Sequence, residues 1–179
     1  GGVVAAQKAI RSVPYRPGPA LEVKIPKAGN RGFRTLTLRN RIDRVVAKAV
    51  NDALVPFWEK IFLNGCHGYR PERSNLTMLA QLASAMTEQD RWVLVSDDVT
   101  SAFPSVDIDR VVEDHARHLT GKPLLDLIEA ILRGGDPDRK IGMDQGCPYM
   151  PAARNVHLHH TFDVHGHSLA ATADHPTPW

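Results

Sequence analysis

The sequence places a carboxylate and an aromatic ring at a spacing that suits metal chemistry. Residues 93–98 read Val-Leu-Val-Ser-Asp-Asp, and Phe103 follows Asp98 by five residues. Successive side chains of a strand point to opposite faces, so only one of Asp97 and Asp98 can face a given site. Asp98 keeps the five-residue interval and is the candidate ligand, because carboxylate oxygens suit Mg²⁺. Taken alone, the Asp-Asp pair is more typical of a strand end and turn than of a metal site.

The segments that would position Asp98 alternate between strand and helix patterns. Alternating apolar residues predict strands over 21–25 and 33–38, and the glycine-rich basic turn between them predicts a β-hairpin with a cationic tip. A further strand is predicted over 92–98. This alternation indicates an α/β or α+β fold with one sheet, in one domain or two tightly packed ones.

Apolar residues spaced by three and four predict helices with one buried face. Helices are expected to begin near Asn40, Ser74, Asp107, Pro123 and residue 152, and the fourth to end at Gly134-Gly135. The first helix is predicted to bury Ile42, Val45, Val46, Ala49, Val50, Ala53 and Leu54. The second is expected to present Leu76, Leu79, Leu82, Ala83 and Met86.

The charge of the chain is unevenly distributed. Residues 1–75 hold 14 Lys or Arg and 5 Asp or Glu, a net charge of +9, whereas residues 76–179 hold 8 and 15, a net charge of −7. A basic half favours a polyanion such as nucleic acid, and an acidic half favours a nearby divalent cation. The alternative is that both halves simply present solvated charged faces.

Composition excludes several classes of protein. A chain of 179 residues with 42% hydrophobic content can bury a core, so wholesale disorder is not expected. No apolar run approaches the roughly 20 residues of a membrane span, and no secretory signal is recognised. Cys66 and Cys147 stand far apart and are predicted to be free thiols, which suggests a reducing cytoplasm.

Five segments, in order, carry a resemblance to a known family. They are Ile25-Pro-Lys-Ala-Gly-Asn-Arg-Gly-Phe-Arg-Thr-Leu36, the helix 41–49, Gly68-Tyr-Arg-Pro-Glu-Arg-Ser74, Asp98-Val-Thr-Ser-Ala-Phe103, and Gly142-Met-Asp-Gln-Gly-Cys-Pro-Tyr-Met-Pro151 with Asn155. Together they resemble prokaryotic reverse transcriptases of the group II intron type over about residues 21–163. The resemblance implies an α+β fold: the fingers and partial palm of a right-hand polymerase, an antiparallel sheet with packed helices.

The resemblance also implies domains and roles. Residues 1–20 would be an irregular lead-in, 21–90 a fingers-like region, and 91–179 a partial palm. The reaction would be RNA-directed DNA synthesis, with RNA template, primer strand and dNTP as partners and two Mg²⁺ ions as cofactors. Asp98 and the Val99 carbonyl would bind magnesium; Lys27, Arg34, Phe103 and Gln145 would bind the nucleotide; Arg70 and Arg73 would grip the template, although ordinary loop charges are an equal alternative.

The chain departs from the family pattern in ways that affect activity. Asp144 replaces a proline, where a carboxylate could repel the triphosphate, and no Tyr-x-Asp-Asp hairpin follows Asp163. We therefore expect a polymerase portion that is inactive alone, that needs the missing C-terminal half, and that exposes apolar surface. The alternative is a non-catalytic RNA-binding module, such as an intron-splicing helper or defence component. An RNA-templated RNA polymerase is disfavoured because the ring at 103 would exclude a 2′-hydroxyl.

The remaining aromatic and histidine residues are interpreted as structural. Tyr69 and Trp92 are predicted to be core residues rather than base-stacking platforms. The histidine-rich segment could suggest zinc, but no cysteine or spaced acid completes a ligand set, so structural roles are expected. Its members are His157, His159, His160, His165 and His167.

Overall fold

The computed structural model describes residues 4, 7–8, 11, 14–30 and 32–166. Over these residues the fold is mixed, with five helices and one two-stranded antiparallel sheet. The elements are β1 Ala20–Pro26, β2 Phe33–Arg39, α1 Arg41–Trp58, α2 Asn75–Glu88, α3 Ile108–Ala116, α4 Lys122–Arg133 and α5 Met150–Leu158, followed by a π-helical segment His159–Asp163. None of the helices in this part of the chain is both long and apolar enough to cross a bilayer.

The hairpin forms as predicted. β1 and β2 pair antiparallel, with Leu21 opposite Leu38 and Ile25 opposite Arg34. A 3₁₀ turn, Ala28–Asn30, closes the tip, and Gly29 adopts φ 70°, a conformation that costs glycine little. The predicted lead-in over 1–20 falls partly outside the described residues.

The predicted helix starts are confirmed by their caps. The Asn40 side chain accepts a hydrogen bond from the Asp43 amide, Ser74 forms a capping box with Thr77, and Asp107 accepts from two amides of α3. These side chains satisfy amide groups that have no partner inside the helix. α4 ends at Gly134 with φ 70°, and α5 begins two residues before the expected position.

The buried face of α1 differs from the prediction. Val46, Val50 and Leu54 are buried as expected, but Val45 is 50% exposed, and Ala49 is also exposed. The core side of α1 is completed by Asp43, Ala47 and Trp58. Periodicity alone could not separate the two apolar stripes, because Val45 and Ala49 continue the same three-four spacing on the neighbouring side of the helix.

The core lies between α1, α3, α4 and α5. Trp58, Tyr149 and Ile128 are almost fully buried there. His115 joins them, stacking edge-on to Trp58 with ring centroids 5.3 Å apart and contacting the Tyr149 hydroxyl from Nε2 at 2.8 Å. A buried imidazole is tolerated because both of its nitrogens have partners, the other being the Val111 carbonyl at 2.6 Å.

The predicted strand over 92–98 is wrong for this structure. The segment has no regular secondary structure, and Val93 and Val95 are 89% and 86% exposed. A strand requires hydrogen bonds to a neighbouring strand, and no described segment pairs with residues 92–98. Similarly, the described part of α2 has no buried residue, so Leu76 and Leu79 lie exposed rather than covered.

Candidate functional site

The hairpin brings two predicted nucleotide ligands to its tip end. Arg34 lies opposite Ile25 in the ladder, and Lys27 is the first residue after β1, where its amide donates to the Gly32 carbonyl at 2.8 Å. Both side chains are exposed. Lys24, by contrast, occupies the face of the hairpin opposite Arg34. The tip end of the hairpin therefore offers one mobile ammonium and one planar guanidinium to an approaching anion.

Gln145 is docked against this hairpin. The Thr37 amide of β2 donates to the Gln145 carbonyl at 2.8 Å. Gly146, at φ 116°, lies so close that a Cβ would stand 2.9 Å from Leu36 Cδ1. A side chain at this position is excluded by both the backbone conformation and the space. The Gln-Gly turn and β2 therefore form one packed unit that presents the half-buried Gln145 next to the hairpin.

Asp144 is held by two arginines. It is 3% exposed, and its carboxylate accepts hydrogen bonds from Arg39 Nε at 2.7 Å, from Arg39 Nη2 and from Arg139 Nη1. Arg39 Nη1 also donates to the Gly18 carbonyl. The expectation that Asp144 would repel a triphosphate is wrong for this geometry, because the guanidinium groups of Arg39 and Arg139 compensate its negative charge. Asp144 instead fastens the start of the Gln145 turn to the end of β2.

Phe103 is connected to the same turn. Its carbonyl accepts a hydrogen bond from the Met143 amide at 2.9 Å, and the Val106 carbonyl accepts one from Gly142 at 2.8 Å. The ring is partly buried, with the Arg154 guanidinium 5.5 Å from its centroid. Arg154 also donates to the Ala102 carbonyl. The sequence pattern did not identify Arg154, since its partners lie about fifty residues away along the chain.

Asp98 and Val99 lie in the exposed segment before Phe103. The Asp97 carboxylate accepts from the Asp98 amide at 2.8 Å, so Asp97 is turned back on its own backbone. Across the described ranges, no group of three or more His, Cys, Asp or Glu side chains is arranged to hold a metal ion. One carboxylate does not fit a site for two Mg²⁺ ions beside phosphates.

Arg70 is a structural residue. It is 8% exposed, and it binds the Glu59 carboxylate through Nε and Nη2 and the carbonyls of Leu63 and Cys66 through Nη1. This geometry contradicts the predicted template contact, because its donors already bind the protein. Arg73 is half-buried and bonds Asn64 through both terminal nitrogens, so ordinary loop anchoring accounts for it as well.

Tyr69 and Trp92 are not core residues. Tyr69 is 74% exposed and Trp92 is 64% exposed. The prediction failed for Tyr69 because its two neighbours, rather than its ring, contact the rest of the protein. Arg70 is buried as described above, and the Gly68 carbonyl accepts a hydrogen bond from Asn155 Nδ2 at 2.6 Å. The prediction for Trp92 failed because it assumed the strand over 92–98, which does not form.

The described histidines of the 157–167 segment make protein contacts. His157 Nδ1 lies 2.7 Å from the Asp114 carboxylate, and His160 Nε2 lies 3.0 Å from His118 Nε2. His159 is buried, and His165 is exposed. These contacts join the end of α5 to α3, as a structural role requires. His167 lies outside the described residues. Cys66 and Cys147 are both free.

Comparison with known proteins finds relatives of the same kind as the motifs indicate. The chain is 29% identical over 163 residues to the protein YkfC of Escherichia coli, covering 86% of this chain and 42% of that protein. It is 25% identical to the group II intron-encoded protein LtrA of Lactococcus lactis, covering 81% of this chain and 25% of LtrA. The putative COX1/OXI3 intron 2 protein of Saccharomyces cerevisiae is also 25% identical, with 84% and 18% covered.

The chain is similar to intron-encoded proteins. It spans less than half the length of the curated relatives just named. No family model matches it.

Proposed function

We propose that this chain is the nucleotide- and template-binding portion of an RNA-directed DNA polymerase related to group II intron-encoded proteins. The observation that carries the proposal is a pair of backbone hydrogen bonds, from Thr37 to Gln145 and from Met143 to Phe103, at 2.8 and 2.9 Å. These bonds bring the cationic hairpin, the Gln-Gly turn and the aromatic ring together from segments far apart in sequence.

Each group then has a role that suits its chemistry. Lys27 and Arg34 hold the triphosphate, as a point charge and a planar fork. Gln145 aligns the nucleotide, and Phe103 lies under the sugar, where a ring excludes a 2′-hydroxyl. Arg154, seated on the Phe103 ring and bonded to the Ala102 carbonyl, fixes the ring in position.

Magnesium does not fit the described residues well enough to assign it a step. Asp98 and the Val99 carbonyl are the oxygens that would contact it, and no second carboxylate stands with them in the described part of the chain. We therefore expect this chain alone to bind its ligands without extending a primer. The acids that would complete the site have to come from another segment or another polypeptide.

A titration with a fluorescent deoxynucleoside triphosphate tests the proposal. Lys27→Gln and Arg34→Gln should each weaken binding by roughly 10- to 100-fold, the value of one charge-assisted contact. Lys24→Gln is the matched control: it removes the same charge from the face of the hairpin opposite Arg34 and should leave affinity within about twofold. Equal losses from all three variants would indicate unspecific charge attraction and would contradict the proposed site.

The second candidate is a non-catalytic RNA-binding module with an intron-splicing or defence role. The single carboxylate at Asp98 favours it, as does the basic first half of the chain. Measuring the binding of both RNA and the deoxynucleoside triphosphate distinguishes the two candidates. A helper protein binds RNA in a salt-sensitive way but gives no saturable signal with the deoxynucleoside triphosphate.

A further inference from the structure

Tyr69 combines exposure with an unusual backbone conformation. Its φ is 55°, in the left-handed region that bulky L-residues rarely adopt, at a cost of about 1–3 kcal/mol. The side chain is 74% exposed, so burial of the ring does not repay this cost. A residue kept in such a conformation at the surface is a candidate for a binding role.

The two residues beside Tyr69 hold it in place. The Gly68 carbonyl accepts from Asn155 Nδ2 at 2.6 Å, and Asn155 is 7% exposed. Arg70 is tied to Glu59, Leu63 and Cys66 and is 8% exposed. The backbone on both sides of Tyr69 is therefore anchored in the protein, and the ring is held out to solvent on a rigid base.

The ring also stands near the candidate nucleotide site. Gly68, the residue before Tyr69, accepts a hydrogen bond from Asn155 at 2.6 Å, and the residue before Asn155 is Arg154, whose guanidinium lies 5.5 Å from the centroid of the Phe103 ring. Tyr69 and the Arg154–Phe103 pair are therefore connected through adjacent residues of α5. A strand that passes Tyr69 would reach this site.

Resting on the function proposed above, we propose that Tyr69 is a stacking platform for an unpaired base of a single-stranded RNA. Every base has a flat π-face, so a rigid exposed ring suits a template of any sequence. The basic first half of the chain supplies the attraction for the phosphates, which the ring itself does not contact. An apolar protein partner is less suited to this position, because a single exposed ring offers it little apolar surface.

The test is a double-mutant cycle between ring and base. A fluorescein-labelled 12-nucleotide RNA is compared with the same strand carrying abasic sites, using wild type and Tyr69→Gly. The glycine removes the ring and relieves the left-handed backbone, so the melting temperature should stay the same or rise. Affinity for the intact RNA should fall roughly 5- to 150-fold, the value of stacking on one base.

The controls separate stacking from charge and folding. Tyr69→Phe keeps the face of the ring and should bind within about twofold of wild type, as should Phe162→Ala, which removes another exposed aromatic ring. The abasic strand should bind wild type and Tyr69→Gly alike, and the salt dependence should be unchanged because the phosphate contacts remain.

Two results would overturn the proposal in different ways. The stacking platform is wrong, while the proposed function stands, if wild type binds the RNA and Tyr69→Gly binds it equally well. The same holds if Tyr69→Gly loses as much affinity for the abasic strand as for the intact RNA. If wild type binds neither RNA nor the deoxynucleoside triphosphate, the proposed function itself fails and the platform fails with it.

Discussion

Single side chains carry much of this architecture, and Asp144 is the clearest case. Its carboxylate joins the last residue of β2 to the Gln145 turn through Arg39 and Arg139. A buried carboxylate without a cationic partner would destabilise the folded protein, and so would two guanidinium groups left without the carboxylate. Asp144→Asn should therefore destabilise the fold by about 3–5 kcal/mol, as breaking a buried ion pair does. Chemical denaturation measures this, with the exposed Asp138→Asn expected to stay within about 0.5 kcal/mol of wild type.

An Asp144→Asn variant with wild-type stability would mean that the two arginines do not depend on the carboxylate. The nucleotide titration adds a second readout: if Asp144 positions the Gln145 turn, deoxynucleoside triphosphate affinity should fall even at temperatures where the variant remains fully folded. Asp144→Glu keeps the charge and should recover part of the affinity.

His115 makes the stability of the protein depend on pH. Burial lowers the pKa of His115 from 6.5 to about 4, because the charged imidazolium loses its solvation in the core, while the hydrogen bond to the Val111 carbonyl acts in the opposite direction. Between these values the unfolded chain binds a proton that the folded protein does not, so stability is lost as the pH falls from about 6.5 to 4. At pH 5 the loss is about 2 kcal/mol.

Denaturation at pH 7 and pH 5 checks this for wild type and His115→Gln. The variant should be less stable at pH 7, because the contacts with Val111 and Tyr149 change, but should lose about 2 kcal/mol less on acidification. His165→Gln, at an exposed position, should keep the wild-type pH dependence. An unchanged acid response in His115→Gln would assign the sensitivity to other groups.

At the scale of elements, α1 presents a basic groove. Arg41, Arg44 and Lys48 follow one another at helical spacing along a groove of about 790 Å³ that Val45, Pro148 and Asp52 also line, with Asp52 paired to Lys48. Pro148 directly follows the Gln-Gly-Cys segment of the candidate site. Basic residues beside apolar ones suit a sugar-phosphate strand, and the three cations follow one another at intervals of about 4.5 and 6 Å along the helix axis.

Replacing all three groove cations by glutamine should make RNA binding less dependent on salt. The slope of log affinity against log salt should be shallower by about 2 for a single strand. The matched control is Arg110→Gln, Arg117→Gln and Lys122→Gln, which removes the same charge from α3, its C-cap and α4. Equal changes in both triple variants would assign the attraction to net charge rather than to the groove.

Local sequence determined the hairpin and the helix starts, because a cap or a turn involves residues within a few positions. The strand over 92–98 could not be predicted in the same way, since strands depend on partners that lie elsewhere in the chain. The role of Arg70 could not be predicted from its charge either. That charge indicated a template contact, whereas the guanidinium binds Glu59 and two backbone carbonyls that lie eleven or fewer residues away. The proximity of Phe103 to Gln145 came from motif order, not from periodicity.

At the scale of the whole molecule, two of the described segments expose neighbouring apolar residues. Val93, Leu94 and Val95 are exposed to solvent, and α2 exposes Leu76 and Leu79. Exposed apolar segments that are not paired in a sheet associate readily with other chains. We expect the protein to associate as its concentration rises, and Val93→Lys with Val95→Lys to suppress this. Sedimentation velocity over a hundredfold concentration range measures it; a concentration-independent monomer in wild type would contradict the expectation.

We propose that the hairpin tip, the Gln-Gly turn and the ring at 103 form one nucleotide site. Backbone amide chemical shifts, recorded during titration with a deoxynucleoside triphosphate, test this most directly. The largest changes are expected at Lys27, Arg34, Phe103 and Gln145, with saturation at one common affinity. Changes confined to other elements, such as α4, or different affinities for the hairpin and the turn, would contradict it.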